Sequence, residues 1–170
     1  MSHENSSLLV SHFQVDTTLK YHFFYQKKLP RNLQAKVEKI DLLQFTPPWS
    51  STFFHSLFEN FENFFIAIAL DQKEERVVAF SVFRLYDEGE AELLKILVDP
   101  SFRMRGVAKS LLEQSIEFLK GGNVDFLSLD VSVNNGAALH LYRQLGFAFV
   151  RIEKSFYQNG DDAQHLQLSF

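Results

Sequence analysis

The chain has 170 residues and a net charge of −4, with 46% apolar and 22% charged side chains. That length suits one domain, the composition is globular rather than disordered, and the acidic balance argues against the basic footprint of a general nucleic-acid binder. The absence of cysteine excludes disulfides, thiolate zinc sites and any Cys-acyl intermediate.

The N-terminus, MSHENSS, has neither a basic n-region nor an apolar h-region, so a cytoplasmic protein without a signal peptide is expected. Leu8 to Phe13 is short and mixed. Asp16-Thr17-Thr18 has the chemistry of a helix cap, which predicts a helix through Leu19, Phe23 and Phe24, ended by Leu29-Pro30. Residues 1–33 are read as an N-terminal extension and 34–170 as the main domain. Ala35 to Ile40 alternates weakly, as an edge strand would, and Leu42 to Phe45 suits a helical turn. Thr46-Pro47-Pro48-Trp49-Ser50 breaks the pattern, because proline disfavours the helical region for its predecessor. Ser50 or Ser51 then caps a helix whose Phe54, Leu57, Phe58 and Phe61 draw one apolar face.

Three strands follow at Phe64–Leu70, Val77–Leu85 and Glu92–Val98, linked by the short polar turns Asp71–Glu75 and Asp87–Gly89. Short links predict an antiparallel meander. The apolar run at Phe64–Leu70 is far below the roughly 20 residues that span a bilayer, so no membrane partner is expected. Val107 to Leu119 carries a helical stripe, and Gly121-Gly122 stops it. Val124–Val131 reads as a strand. Ala138, Leu141, Tyr142 and Leu145 mark a second helix, ended by Gly146. Phe147–Ile152 and His165–Phe170 read as the last two strands. The order is meander, helix, strand, helix, strand, strand: a mixed α/β domain with one strand–helix–strand crossover. Nineteen phenylalanines fill a core, or leave an apolar surface for ligand capture or for self-association, which would give a homodimer.

The turn Val98-Asp99-Pro100-Ser101-Phe102-Arg103-Met104-Arg105-Gly106-Val107-Ala108 joins a strand to a helix. Unpaired N–H groups and the partial positive charge of a helix N-terminus attract phosphates. Gly106 and Ala108 let a ligand approach the backbone. Arg103, Arg105 and Lys109 place cations where the helix dipole disfavours them, which an anionic ligand would explain. The turn is neither a P-loop nor a dinucleotide fingerprint, and taken alone it is equally an exposed strand–helix turn.

Arg103–Ala108 is similar to the Arg/Gln-x-x-Gly-x-Gly/Ala pyrophosphate loop of the GNAT N-acetyltransferases. Asn135, Ala137-Ala138-Leu139, Leu141-Tyr142 and Gly146-Phe147 are similar to that family's later strand–helix segment, which holds the pantetheine arm. Pro48-Trp49-Ser50, the Leu-Asp-Val step at Asp130, and Phe156-Tyr157 with Asp161-Asp162-Ala163 resemble the RimI type, which acetylates the N-terminal alanine of a ribosomal protein. The resemblance covers about residues 35–170. It implies an α/β GNAT fold: a mixed, mostly antiparallel sheet with a splayed central pair of strands and flanking helices.

It also implies roles. The backbone of Ile96, Leu97 and Val98 would flank the thioester and pantetheine of acetyl-CoA, and an N–H there would polarise the carbonyl. The N–H groups of Met104, Arg105, Gly106, Val107, Ala108 and Lys109 would cradle the pyrophosphate. Asn135 would hold the pantetheine arm, cap its helix, or do both. Tyr142 would protonate the departing thiolate, unless it is a core tyrosine. Asp130 stands where the RimI type has a glutamate base. It is a methylene shorter, so a water relay is implied, unless it is a surface carboxylate. Glu92 on the preceding strand is the rival base. Transfer would be direct, in a ternary complex, to a primary amine: a protein or peptide N-terminus, or else a small amine. A non-catalytic acyl-CoA-binding module is the alternative. Tyr157 and Asp161-Asp162 would shape the acceptor entrance, where acidic groups suit a cationic acceptor. The six histidines show no metal spacing, are read as structural, and no metal is expected.

Overall fold

The computed structural model describes residues 18–45 and 47–170. A seven-stranded sheet runs in the order β1-β2-β3-β4-β5-β7-β6. Its strands are β1 (Leu19–Tyr25), β2 (Phe64–Asp71), β3 (Arg76–Leu85), β4 (Glu90–Val98), β5 (Phe126–Ser132), β6 (Ala148–Glu153) and β7 (Ala163–Ser169). Four helices cover it: α1 (Arg31–Gln44), α2 (Ser51–Glu59), α3 (Val107–Lys120) and α4 (Gly136–Gln144). β4 and β5 pair in parallel, joined by the α3 crossover, and every other described pair is antiparallel. The two faces carry separate cores. Leu111, Leu112 and Leu119 of α3 and Leu139 of α4 pack on one. Val37 and Ile40 of α1 and Phe54, Leu57 and Phe58 of α2 pack on the other.

From α2 onward the expected elements form, within a residue or two at most ends. Ser50 caps α2, its side chain accepting from the Phe53 N–H. α3 buries Val107, Leu111, Leu112, Ser115, Ile116 and Leu119, which is the stripe in the sequence.

Two expectations upstream are corrected. The helix expected through Leu19, Phe23 and Phe24 is strand β1, paired with β2 from Leu19↔Asp71 to Tyr25↔Phe65. Its run of aromatics suits a pleated surface. Phe23 and Tyr25 pack against Phe65 and Phe118, while Phe24 joins the opposite core. The edge strand expected at Ala35–Ile40 lies inside helix α1, which also absorbs the turn expected from Leu42. Val37, Ile40 and Asp41 are buried at helical spacing, and Pro30 stands at the N-cap. That period overrides the weak alternation. Residues 18–33 thus supply an edge strand of the sheet and the start of α1. Leu8 to Phe13, His3 and His12 lie outside the described residues.

The phenylalanines divide between core and surface. Phe65, Phe80 and Phe83 are fully buried, while Phe118, Phe149 and Phe156 are exposed. No described helix is long and apolar enough to cross a membrane.

Candidate active site

The site begins with a divergence in the sheet. The parallel ladder between β4 and β5 runs only from Glu90↔Phe126 to Leu93↔Leu129. Beyond it, β4 keeps β3 alone and β5 keeps β7 alone. A β-bulge coincides with the split: Leu93 pairs with Phe83 and Lys95 with Val82, leaving Leu94 as the extra residue. An extra residue re-phases a strand's side chains. Leu93 packs with the α3/α4 core, Leu94 with the α1/α2 core, and Lys95 reaches Asp41 of α1. Ile96 and Val98 return to the α3/α4 side. The free edge of β4 therefore offers peptide groups to a ligand from Leu94 to Val98.

A cleft of about 400 Å³ opens at this split. Ile96, Leu97 and Val98 line it, with Arg103, Met104, Gly106, Val107, Ala108 and Lys109 at the head of α3 and Tyr142 of α4. Those ten candidates are thus brought together. The turn into α3 suits an anion. Asp99 caps the 3-10 turn Pro100–Phe102, accepting from the Ser101 N–H. Burial pushes its carboxyl up, but bonds from Ser101 and the Arg76 guanidinium outweigh this and hold it below the usual range. Met104 and Gly106 are left-handed, with φ of 59° and 75°. Gly106 is the N-cap of α3 and has no side chain to offer its first N–H groups. No acidic residue occupies the first turn, so those donors face the cleft end with nothing anionic of their own. Arg103 Nε donates to Val98 O at 3.0 Å, and the Arg105 guanidinium lies 5.0 Å from the Phe102 ring centre. Arg105 does not line the cleft.

Tyr142 is 6% exposed. Its ring meets Phe147 edge-on at 5.6 Å. Gly146, at φ 90°, turns the chain so that the Phe147 N–H donates to Tyr142 O at 3.0 Å. Burial, and then Tyr157, raises the Tyr142 phenol far above its ordinary value. It is both a core tyrosine and a cleft-lining one. Asn135 caps α4, accepting from the Ala138 N–H at 3.1 Å. Its neighbours Ala137 and Ala138 line the cleft, although Asn135 itself does not.

A second cleft, of about 620 Å³, lies between the α1–α2 connection and the β6–β7 loop. Phe45, Pro47, Pro48 and Trp49 form one wall, and Ser132, Tyr157, Asn159 and Asp161 the other. Phe45 also lines the first cleft, so the two abut. Asp161 is fixed by Ser132 Oγ at 3.0 Å and Asn134 Nδ2 at 2.9 Å. Asp162 turns away to Lys154.

The two candidate bases separate. Asp130 Oδ1 lies 3.0 Å from Nδ1 of His165, its partner across the β5–β7 ladder. The Tyr157 hydroxyl donates to Asp130 O at 3.2 Å, so Asp130 adjoins the second cleft through Tyr157 without lining it. Glu92 is not brought to either cleft. It sits on the paired half of β4, opposite Ser128, where its Oε2 accepts from the Tyr86 hydroxyl at 2.7 Å. Burial first, and then this bond, pushes Tyr86 up to about 12. Four residues of strand place Glu92 about 13 Å from Ile96. Ala137, Ala138 and Leu141, from the segment expected beside the pantetheine arm, also line the cleft. Not anticipated from the sequence are Phe45 as a cleft wall, His165 beside Asp130, and the buried Asp41–Lys95 pair.

The sequence profile of the acetyltransferase (GNAT) family matches residues 35–147. The chain belongs to that family and is an acetyltransferase. It is 36% identical over 120 residues to the [ribosomal protein bS18]-alanine N-acetyltransferase of Salmonella typhimurium, covering 68% of this chain and 77% of that one. It is 40% identical over 75 residues to the N-alpha-acetyltransferase RimI of Mycobacterium tuberculosis, covering 44% and 46%. The crystal structure of the ribosomal-protein-S18-alanine N-acetyltransferase from Escherichia coli superposes with a TM-score of 0.76 at 27% identity. That match covers 88% of this chain and 94% of the other.

Proposed function

We propose that this enzyme acetylates the N-terminal α-amino group of a protein or peptide, with an alanine terminus of a ribosomal protein as the specific candidate acceptor. The observation that carries the reading is the pair of abutting clefts at the β4–β5 divergence. One has the uncapped head of α3 at its end, and the other is walled by Trp49 and Tyr157. The similarity to bacterial bS18-alanine acetyltransferases supports the acceptor.

In this reading the N–H groups from Met104 to Lys109 hold the pyrophosphate, with Arg103, Arg105 and Lys109 adding positive charge. The open edge of β4 pairs with the pantetheine arm, as a further strand would. A backbone N–H among Ile96, Leu97 and Val98 polarises the thioester carbonyl. Asn135 shapes the pantetheine wall through its cap of α4. The acceptor enters from the second cleft. Asp130, braced by His165, takes the proton released from the α-ammonium group through water, and the neutral amine attacks the carbonyl. Tyr142, held protonated by burial, gives its proton to the leaving thiolate, and the second proton lost from the amine nitrogen as the amide forms restores the phenol through solvent. Direct transfer follows, in a ternary complex.

The test is acetyl-CoA turnover, read as thiol release and by peptide mass. A peptide with a free N-terminal alanine is compared with the same peptide blocked at its N-terminus but carrying lysine, and with polyamines and free amino acids. Turnover of the free-N-terminus peptide, with the acetyl group on its α-nitrogen, is expected. Turnover of small amines alone would contradict the reading.

A further inference from the structure

Lys95 is 5% exposed, and no other lysine among the described residues is buried. Its ammonium lies 2.5 Å from Asp41 Oδ1, 3.8 Å from the Phe45 ring centre and 4.1 Å from that of Trp49. Asp41 is itself fully buried, and its Oδ2 accepts from the Trp49 backbone N–H at 2.7 Å. One cation and one carboxylate thus hold Phe45, just past α1, and Trp49, just before α2. Burial opposes the charge, pushing the Lys95 ammonium below its ordinary value against the pull of Asp41. Desolvating two ions is costly, and an apolar pair of similar volume commonly serves stability as well or better. The geometry accounts for the pair in another way. Phe45 and Trp49 both line the second cleft, and Phe45 also walls the first. Lys95 sits next to Ile96 on the open half of β4, and the bulge at Leu94 turns it to the α1 side.

We propose that Lys95 and Asp41 are positioning residues for the acceptor: their ion pair, clamped between Phe45 and Trp49, fixes the acceptor-cleft wall relative to the strand that presents the donor. The pair lies beneath the aromatic rings and acts through them. The proposal rests on the reading that the second cleft admits the acceptor.

The test is the double variant Lys95→Met with Asp41→Asn. It removes both charges together and keeps an oxygen for the Trp49 N–H, avoiding the lone buried carboxylate that Lys95→Met would leave. Two readouts are taken. Steady-state kinetics use whichever acceptor the wild-type enzyme turns over. Acrylamide quenching uses Trp49, the only tryptophan of the chain, and needs no acceptor. The expected result is a folded protein whose KM for the acceptor rises about tenfold while that for acetyl-CoA stays within about twofold, because misplaced walls cost binding only where they touch. Quenching of Trp49 rises several-fold. An unchanged acceptor KM, an equal rise in both KM values, or a double variant that fails to fold would overturn the proposal. The last would make the pair a stability element. Turnover confined to small amines would sink the peptide reading alone, since the acceptor KM is then measured with that amine and quenching still reports on the wall.

Discussion

At Tyr142 two demands meet in one side chain. The ring is core, packed on Phe147, while the residue borders the cleft at the β4–β5 split. Burial raises its pKa, so the protonated form persists through the working pH range, and its ionisation produces no alkaline limb there. Tyr142→Phe keeps the packing and removes the proton. It is expected to lower kcat by about a hundredfold or more while KM for acetyl-CoA changes by less than about twofold, measured by thiol release. Asp130 and His165 form a carboxylate–imidazole contact that adjoins the second cleft through Tyr157. Asp130→Asn is expected to lower kcat/KM for the acceptor by about tenfold or more, and Glu92→Gln to leave it within about twofold, because Glu92 is bonded to Tyr86 outside both clefts. The turn into α3 and the place of Tyr142 on the cleft wall were legible in the sequence because their signals are local, a strand–glycine–helix junction and a helix stripe. His165 was not, since it meets Asp130 only through the register of β5 with β7. Lys95 left one signal: a lone cation within Leu93–Val98, an otherwise apolar strand, needs a buried partner. Its identity, Asp41, lies 54 residues away.

The proposed donor site is built on the turn from β4 into α3. Gly106 has φ of 75°, a conformation that costs an L side chain about 1 kcal/mol or more. Gly106→Ala is expected to lower stability by that amount in denaturant unfolding and to raise KM for acetyl-CoA, since a methyl group intrudes at the head of α3. Asp99 secures the same turn from the other side through Ser101 and Arg76. Asp99→Ala is expected to cost about 1 kcal/mol, as lost caps do. The folded state holds the Asp99 pKa below its unfolded value. The stabilisation is therefore full above about pH 4 and fades as the pH falls below that. Thermal unfolding of wild type and variant should differ clearly at pH 7 and converge towards pH 3. Most elements from α2 onward were legible because their periods are unmixed and their ends carry Ser50, Gly121 and Gly146. The first two elements were not. β1 is specified by its pairing with β2, a contact of high sequence separation, and α1 by burial of Val37, Ile40 and Asp41 against a sheet whose strands follow it in the chain.

At the scale of the molecule, the sheet joins two antiparallel blocks through four parallel residue pairs. Where that ladder stops, the two cores on opposite faces come within reach of one opening, and Phe45 borders both clefts. A donor on the α3 side and an acceptor on the α1–α2 side would then meet at the end of the split, without a covalent enzyme intermediate. Binding of acetyl-CoA alone should raise the melting temperature, by mass action on the folded state. The most direct test of this two-cleft account is inhibition by a conjugate in which CoA is linked through an acetyl bridge to the α-nitrogen of an alanine-first peptide. The account predicts competition against both acetyl-CoA and the peptide acceptor, with affinity at least about a hundredfold above that of either alone, because the link removes the entropy of assembling two ligands. Competition against acetyl-CoA only, with no gain in affinity from the peptide, would contradict it.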